Sequence, residues 1–426
     1  MASEKKSIVI IGGGIIGCTT AYYLTRHPSF NPITHKVTIL EATSIASGAS
    51  GKAGGLLALW AYPSSIVPLS FKLHKELAET HGGKDRWGYR GVGCGQIELE
   101  GRKVQAKKAV DVKANGVGHG EELSGVHTST ESSDANISLQ KRSKESYSRL
   151  AKTGLPSDLD WVDPSCVQGW DYMGDPSNTA QVHPYQFTTS MAELAVSAGA
   201  TITLGRVTRI EDEESSTKTI HYTDKATSKP STITASDIII TAGPWSKHVW
   251  PSAPISNTRA HSVTIRPTRP TSAYCLFTSL SLPKNYKEGV KSRSMHVTPE
   301  IYARPNNELY ACGEGDHLVP LPLTTADVVV DDSRCQDIVD YVSSFSDELR
   351  DGQVLVRQAC YLPLVSSGGG PLIGPTETKN VWIATGHTCW GICNGPVTGK
   401  LMSEFVMDGK AKSADIPALD PRRVLR

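Results

Sequence analysis

The chain has 426 residues, 38% of them apolar, with nine cysteines and 44 Lys plus Arg against 43 Asp plus Glu. That size allows a large core and two domains, and the near-neutral charge excludes a chain built around nucleic acid or an acidic lipid surface. The unpaired cysteine pattern points to reduced thiols in the cytoplasm, no apolar run reaches spanning length, and neither Met1–Lys6 nor the closing RRVLR reads as a targeting signal.

The run Ile8 to Ile11 is apolar and β-branched, as a central parallel strand requires. Gly12-x-Gly14-x-x-Gly17 comes at once, and a helix through Leu24 is expected to stop near Pro28. Gly12 permits the tight turn, Gly14 lets the backbone approach a pyrophosphate, and Gly17 brings helix and strand together. Ile15 and Ile16 open that helix, whose free N–H groups and partial positive charge suit phosphate. The next strand, KVTILE, ends on Glu41, a carboxylate placed to accept hydrogen bonds from ribose hydroxyls. Strand, glycines, helix, strand and acid in this order predict a dinucleotide site.

The residues after Glu41 favour FAD over NAD. From Ala42 the chain enters SIASGASGKAGGLLALW, a glycine-rich segment suited to lying along an extended cofactor, with Ser47, Ser50, Gly54, Gly55 and Leu56 as contacts. Residues 101–152, polar and poor in aromatics, read as a surface insertion. Helical spacing runs from Pro184 to Ala198, and a strand carrying Val207 leads into a hairpin with an acidic tip. SDIIITAGPWS is another buried strand, closing on Ala242, Gly243 and Trp245. Residues 261–313 alternate as strands of a second sheet, and SRCQDIVDYVSSFSDEL reads as an amphipathic helix. Further on come glycine turns at Gly374 and Gly386, the strand VWIAT and a helix expected to start at Pro396.

Together, residues 8–60, 180–250 and 355–410, above all GHTCWGICNGPVTGK, resemble the D-amino-acid oxidase superfamily of FAD oxidoreductases. The resemblance implies an α/β (α+β overall) fold, with a glutathione-reductase-like Rossmann FAD-binding domain interleaved with an antiparallel-sheet substrate domain. The expected FAD-binding segments are 1–84, 180–255 and 355–426, and the substrate-domain segments are 85–179 and 256–354. It also implies that Gly391, Ile392 and Cys393 offer backbone groups to the flavin edge.

The family commonly carries an Arg-Pro pair where RQACYLPL here has Leu362-Pro363, so the usual grip on a substrate carboxylate is missing. Either the substrate has no α-carboxylate or another base takes over, with Arg304 in EIYARPNNELY as the candidate. Tyr302 and Arg304 share a strand face, directed into a pocket or outward. With Leu362 and Trp390 they form the candidate catalytic set. Cys360 lies where the sarcosine-oxidase branch attaches FAD covalently, although noncovalent FAD is the expectation. Cys389, Cys393 and His387 lack the further ligands of a metal site, and His183 before Pro184 reads as structural.

The expected activity is oxidation of a small amine or amino acid to an imine, with O2 as electron acceptor. A dehydrogenase or tailoring enzyme for a larger amine and a non-catalytic flavoprotein with a trafficking role are the alternatives.

Overall fold

The computed structural model describes residues 5–104, 154–211 and 217–424. Most of the polar insertion and the acidic hairpin tip lie outside these residues. Among the described residues the strands form two eight-stranded sheets and a three-stranded one.

The first sheet runs in the order Pro230–Ala235, Lys218–Asp224, Thr201–Glu211, His35–Glu41, Lys6–Ile11, Asp237–Ile240, Val381–Thr385 and Leu372–Pro375. From Thr201–Glu211 to Val381–Thr385 the pairs are parallel. Such strands are covered on both faces, which is why they read as continuous apolar runs. Ile8 and Ile10 pack toward the helices, whereas Val9 and Ile11 pack with Ile220, Ile238 and Ile240 on the other side.

Helix Ile15–Leu24 succeeds the glycine loop and lies against helices Pro184–Ser197 and Gly391–Asp408. A Cβ on Gly17 would sit 2.0 Å from the Gly12 carbonyl oxygen, so only glycine allows this approach of helix to strand. The C-terminal helix starts at Gly391, ahead of the expected Pro396, which lies within it. A proline inside a helix leaves the carbonyl four residues earlier without its N–H partner. Here a side chain of helix Val67–His81 serves that carbonyl, so the helix can extend back to Gly391.

The second sheet runs Gln353–Val365, Ile255–Arg266, Glu308–Asp316, Glu300–Arg304, Tyr274–Leu282, Gly93–Glu100 and Val167–Gly174, with Met295–Val297 on Tyr274–Leu282. It is antiparallel apart from one pair, Tyr274–Leu282 with Gly93–Glu100. Strand Gln353–Val365 pairs along its length with Ile255–Arg266, so the boundary expected at 355 falls inside a strand of this sheet. Alternation divides the core: Ile301, Ala303, Leu309 and Ala311 face helix Asp332–Ser343, while Phe277, Tyr302, Tyr310 and Cys312 face the first sheet's side. The glycine-rich segment is more regular than a loop, containing a short helix, Ala49–Lys52, and a strand, Leu56–Ala58, paired with Thr179–Gln181.

Candidate active site

A cavity of about 380 Å³ lies beyond the carboxyl ends of the parallel strands, where open α/β sheets place their ligands. The glycine loop forms its floor. Gly12 has φ of +114°, and a Cβ there would meet the Thr241 carbonyl oxygen at 2.6 Å. Helix Ile15–Leu24 has no cap from its own N-cap residue, Gly14, and no acid in its first turn, so the groups that meet its positive end come from other segments. Ser50 Oγ accepts the Ile15 N–H at 2.9 Å and ties the glycine-rich segment to this turn.

Glu41 is 9% exposed. Its carboxylate accepts the N–H of Gly13 at 2.7 Å and of Thr43 at 2.8 Å, locking the end of the second strand to the glycine loop. Across the cavity, Thr325 joins Thr43 and Ser47 in a hydroxyl cluster, with Ser47 Oγ and Thr325 Oγ1 2.7 Å apart. The segment carrying Thr325 is also fixed where Trp245 Nε1 donates to the Pro322 carbonyl at 2.6 Å.

Of the residues expected at the cofactor, Gly12, Gly14, Ile15, Ile16, Glu41 and Ala42 line this cavity. Ser47, Ser50, Val207, Ala242, Gly243, Trp245, Gly391 and Ile392 line it as well. Gly54, Gly55 and Leu56 line a second, smaller cavity instead. Gly17, Gly374, Gly386 and Cys393 line neither. Gly374 abuts Pro421 and Phe405, and Gly386 abuts Val365, each at a positive φ that favours glycine. The Cys393 thiol points into the core toward the Ala58 carbonyl. Sequence reasoning missed Arg206, Thr208, Thr325 and His387. His387 is buried beside Thr398, 3.1 Å away, and burial pushes its imidazole down to about 3.

The smaller cavity measures about 80 Å³ and shares Ala49, Ala53, Leu362, Cys389 and Ile392 with the larger one. Tyr302, Leu362 and Trp390 line it; Arg304 does not. The Arg304 side chain is 3% exposed, donates to Glu308 at 2.7 Å and to the Ala53 carbonyl, and lies 4.8 Å from the centre of the Tyr310 ring. These contacts hold it outside the lining of the smaller cavity, where a carboxylate clamp was expected of it, and leave its buried Nε without a hydrogen-bond partner among the described residues. His183 caps helix Pro184–Ser197 and lies 3.8 Å from the same Glu308. Two charged residues not expected there also line it, Lys52 and Glu300, and the Glu300 carboxylate accepts the Tyr302 hydroxyl. Burial, then the charge of Glu300, holds the Tyr302 phenol protonated far above its usual range.

The larger cavity therefore offers what an anionic dinucleotide requires: a close backbone approach, a helix N-terminus and a carboxylate. Residues 7–405 match the family model described as "DAO: FAD dependent oxidoreductase". The chain is 37% identical to TDA3 of Saccharomyces cerevisiae, over 98% of this chain and 94% of that one. It is 35% identical to C1F5.03c of Schizosaccharomyces pombe, over 98% of each. Both carry the name "Putative oxidoreductase", with no substrate stated. Among solved structures, glycine oxidase from Geobacillus kaustophilus shares the fold with a TM-score of 0.67 at 18% identity, covering 99% of each chain. L-proline dehydrogenase from P. horikoshii shares it with a TM-score of 0.67 at 16% identity, covering 99% of this chain and 98% of that one. The chain belongs to the DAO family of FAD-dependent oxidoreductases, and FAD is its cofactor.

Proposed function

We propose that this flavoprotein oxidises the C–N bond of a small amine or amino acid to an imine, with O2 taking up the electrons as hydrogen peroxide. The observation that carries the reading is the wall of five residues common to the two cavities. A small molecule held beside Tyr302 and Trp390 would lie next to whatever fills the larger cavity at Leu362 and Ile392. The flavin supplies a hydride acceptor when bound. The chain then has to bind, orient and desolvate.

In this reading the glycine loop and the start of helix Ile15–Leu24 hold the pyrophosphate. Glu41 retains acceptor capacity for ribose hydroxyls beside its two backbone bonds. The start of helix Gly391–Asp408, which has no side-chain cap and lines the larger cavity at Gly391 and Ile392, would offer N–H groups to negative charge on a bound flavin. Tyr302, Phe277 and Trp390 exclude water from the smaller cavity, whose volume of about 80 Å³ suits a small substrate. Glycine oxidase and iminodiacetate oxidase, by their names, act on molecules of this size class. A cytoplasmic site of action fits the reduced thiols.

The test is to mix purified holoprotein with a panel of amines and amino acids without oxygen, and then to admit air. Bleaching of the flavin by one compound, and then recovery of colour with release of peroxide, is the expected result. If no member of the panel bleaches the flavin, the reading fails. Recovery only with an artificial acceptor identifies a dehydrogenase.

A further inference from the structure

The smaller cavity carries a charge pattern that narrows the substrate. Glu300 lies opposite Phe277 on one neighbouring strand and opposite Cys312 on the other, and Tyr302 lies opposite Tyr310. Alternation therefore sends Glu300, Tyr302, Phe277 and Tyr310 to the same face of the sheet, the face that walls the cavity. Their rings form a continuous series: Tyr310 to Tyr302 at 5.8 Å, Tyr302 to Phe277 at 6.1 Å, Phe277 to Trp60 at 5.8 Å and Trp60 to Trp390 at 5.6 Å. A carboxylate set among aromatic rings is an environment for a cation, because ring faces are negative and favour alkylammonium groups.

Of the two cations nearby, one belongs to the lining and keeps its charge, and the other is paired outside it. Lys52 is the cation lining this cavity, and its ammonium donates to the Ala359 carbonyl at 2.9 Å. Arg304 stands outside the lining and is paired with Glu308. Among the described residues, no guanidinium lines the cavity to grip a carboxylate in two places.

Resting on the proposed amine oxidation, we infer that the smaller cavity selects a cationic alkylamine without an α-carboxylate, held by Glu300 and the rings of Phe277, Tyr302, Tyr310 and Trp390. Glu300 is the specificity determinant. An α-amino acid would bring its carboxylate toward Glu300 and the ring faces, both of which disfavour it.

The native holoprotein is titrated with trimethylammonium chloride and, at matched ionic strength, with sodium propionate, tracking flavin absorbance and melting temperature. Trimethylammonium should bind at least about tenfold more tightly than propionate. Glu300→Gln, which keeps the shape and a partner for Tyr302, should weaken the cation by roughly tenfold or more. If that variant does not retain flavin, Phe277→Leu keeps the charge, removes one ring, and should weaken the cation several-fold. Propionate binding more tightly than trimethylammonium in the native protein overturns the inference, as does a folded variant that binds the cation unchanged. The titration needs no turnover. Saturable cation binding with no oxidised amine removes the proposed function and leaves this site standing, whereas an oxidised amino acid with Glu300→Gln indifferent does the reverse.

Discussion

His74 donates its Nε2 hydrogen to the Ile392 carbonyl at 3.0 Å, and that carbonyl is the one whose helical partner would be the N–H that Pro396 lacks. The same nitrogen is 3.2 Å from the Cys393 carbonyl, which also accepts the Ser70 hydroxyl at 2.6 Å. Nδ1 of His74 has no partner among the described residues, and burial pushes the imidazole down to about 4. These contacts assign a neutral ring with its proton on Nε2. A neighbouring helix thus completes the turn that opens at the cofactor cavity.

His74→Ala should destabilise the fold by about 2–4 kcal/mol, through a lost buried hydrogen bond and the space left behind. Adding Pro396→Ala restores the helical N–H to Ile392 and should recover about 1 kcal/mol of that loss. Urea denaturation of the two single variants and the double variant measures the coupling. Strict additivity would show that Pro396 is not the reason for the contact.

Glu41→Gln keeps the side chain's shape while removing its charge. Flavin affinity should fall by about 1.5–3 kcal/mol, the worth of hydrogen bonds to a charged acceptor. Equilibrium titration of the apoprotein with FAD reads this directly, and unchanged affinity would move the ribose contact to another residue.

Three buried imidazoles and one half-buried one set an acid limit. Burial is the leading cause that lowers His74, His183 and His261 to about 4 and His387 to about 3, from an ordinary 6.5. The unfolded chain takes up these protons as pH falls below 6.5, while the folded chain does not. Their contribution is thus present above pH 6.5 and is lost progressively toward pH 4. Each such proton adds a slope of about 1.4 kcal/mol per pH unit. Denaturation midpoints measured between pH 7 and pH 5 should fall with a slope exceeding one proton; a flat profile would contradict the neutral assignments.

Cys360 lines the smaller cavity and not the larger one, and burial pushes its thiol up to about 11. A protonated thiol is a poor nucleophile. Acid precipitation should therefore leave the flavin in the supernatant. A yellow pellet that becomes colourless in Cys360→Ser would establish covalent attachment.

Local signals make part of this legible. The strand from Lys6, the glycine loop and the acid at Glu41 each need residues that nothing else in the sequence explains, and together they announce a dinucleotide site. The wall facing the substrate is not legible, for two reasons. Alternation along EIYAR puts Glu300, Tyr302 and Arg304 on one face without showing where the cavity ends. Arg304 also reads as free until Glu308, across the turn, is seen to neutralise it. The start of the C-terminal helix is hidden because a proline is ordinarily a first-turn residue. Only the fold reveals that His74, from a distant helix, removes that restriction.

The strand order has a consequence for synthesis of the chain. Lys6–Ile11 pairs with Asp237–Ile240, which is synthesised far later, and that strand pairs with Val381–Thr385, later again. The glycine loop is thus translated long before its neighbouring strand exists, and the cavity acquires Gly391 and Ile392 later still. Parallel pairings so far apart form slowly and leave apolar edges open in the meantime. Flavin capture should accordingly follow synthesis of Gly391 and Ile392 and close assembly, and a cell short of flavin would accumulate an open, protease-sensitive apoprotein.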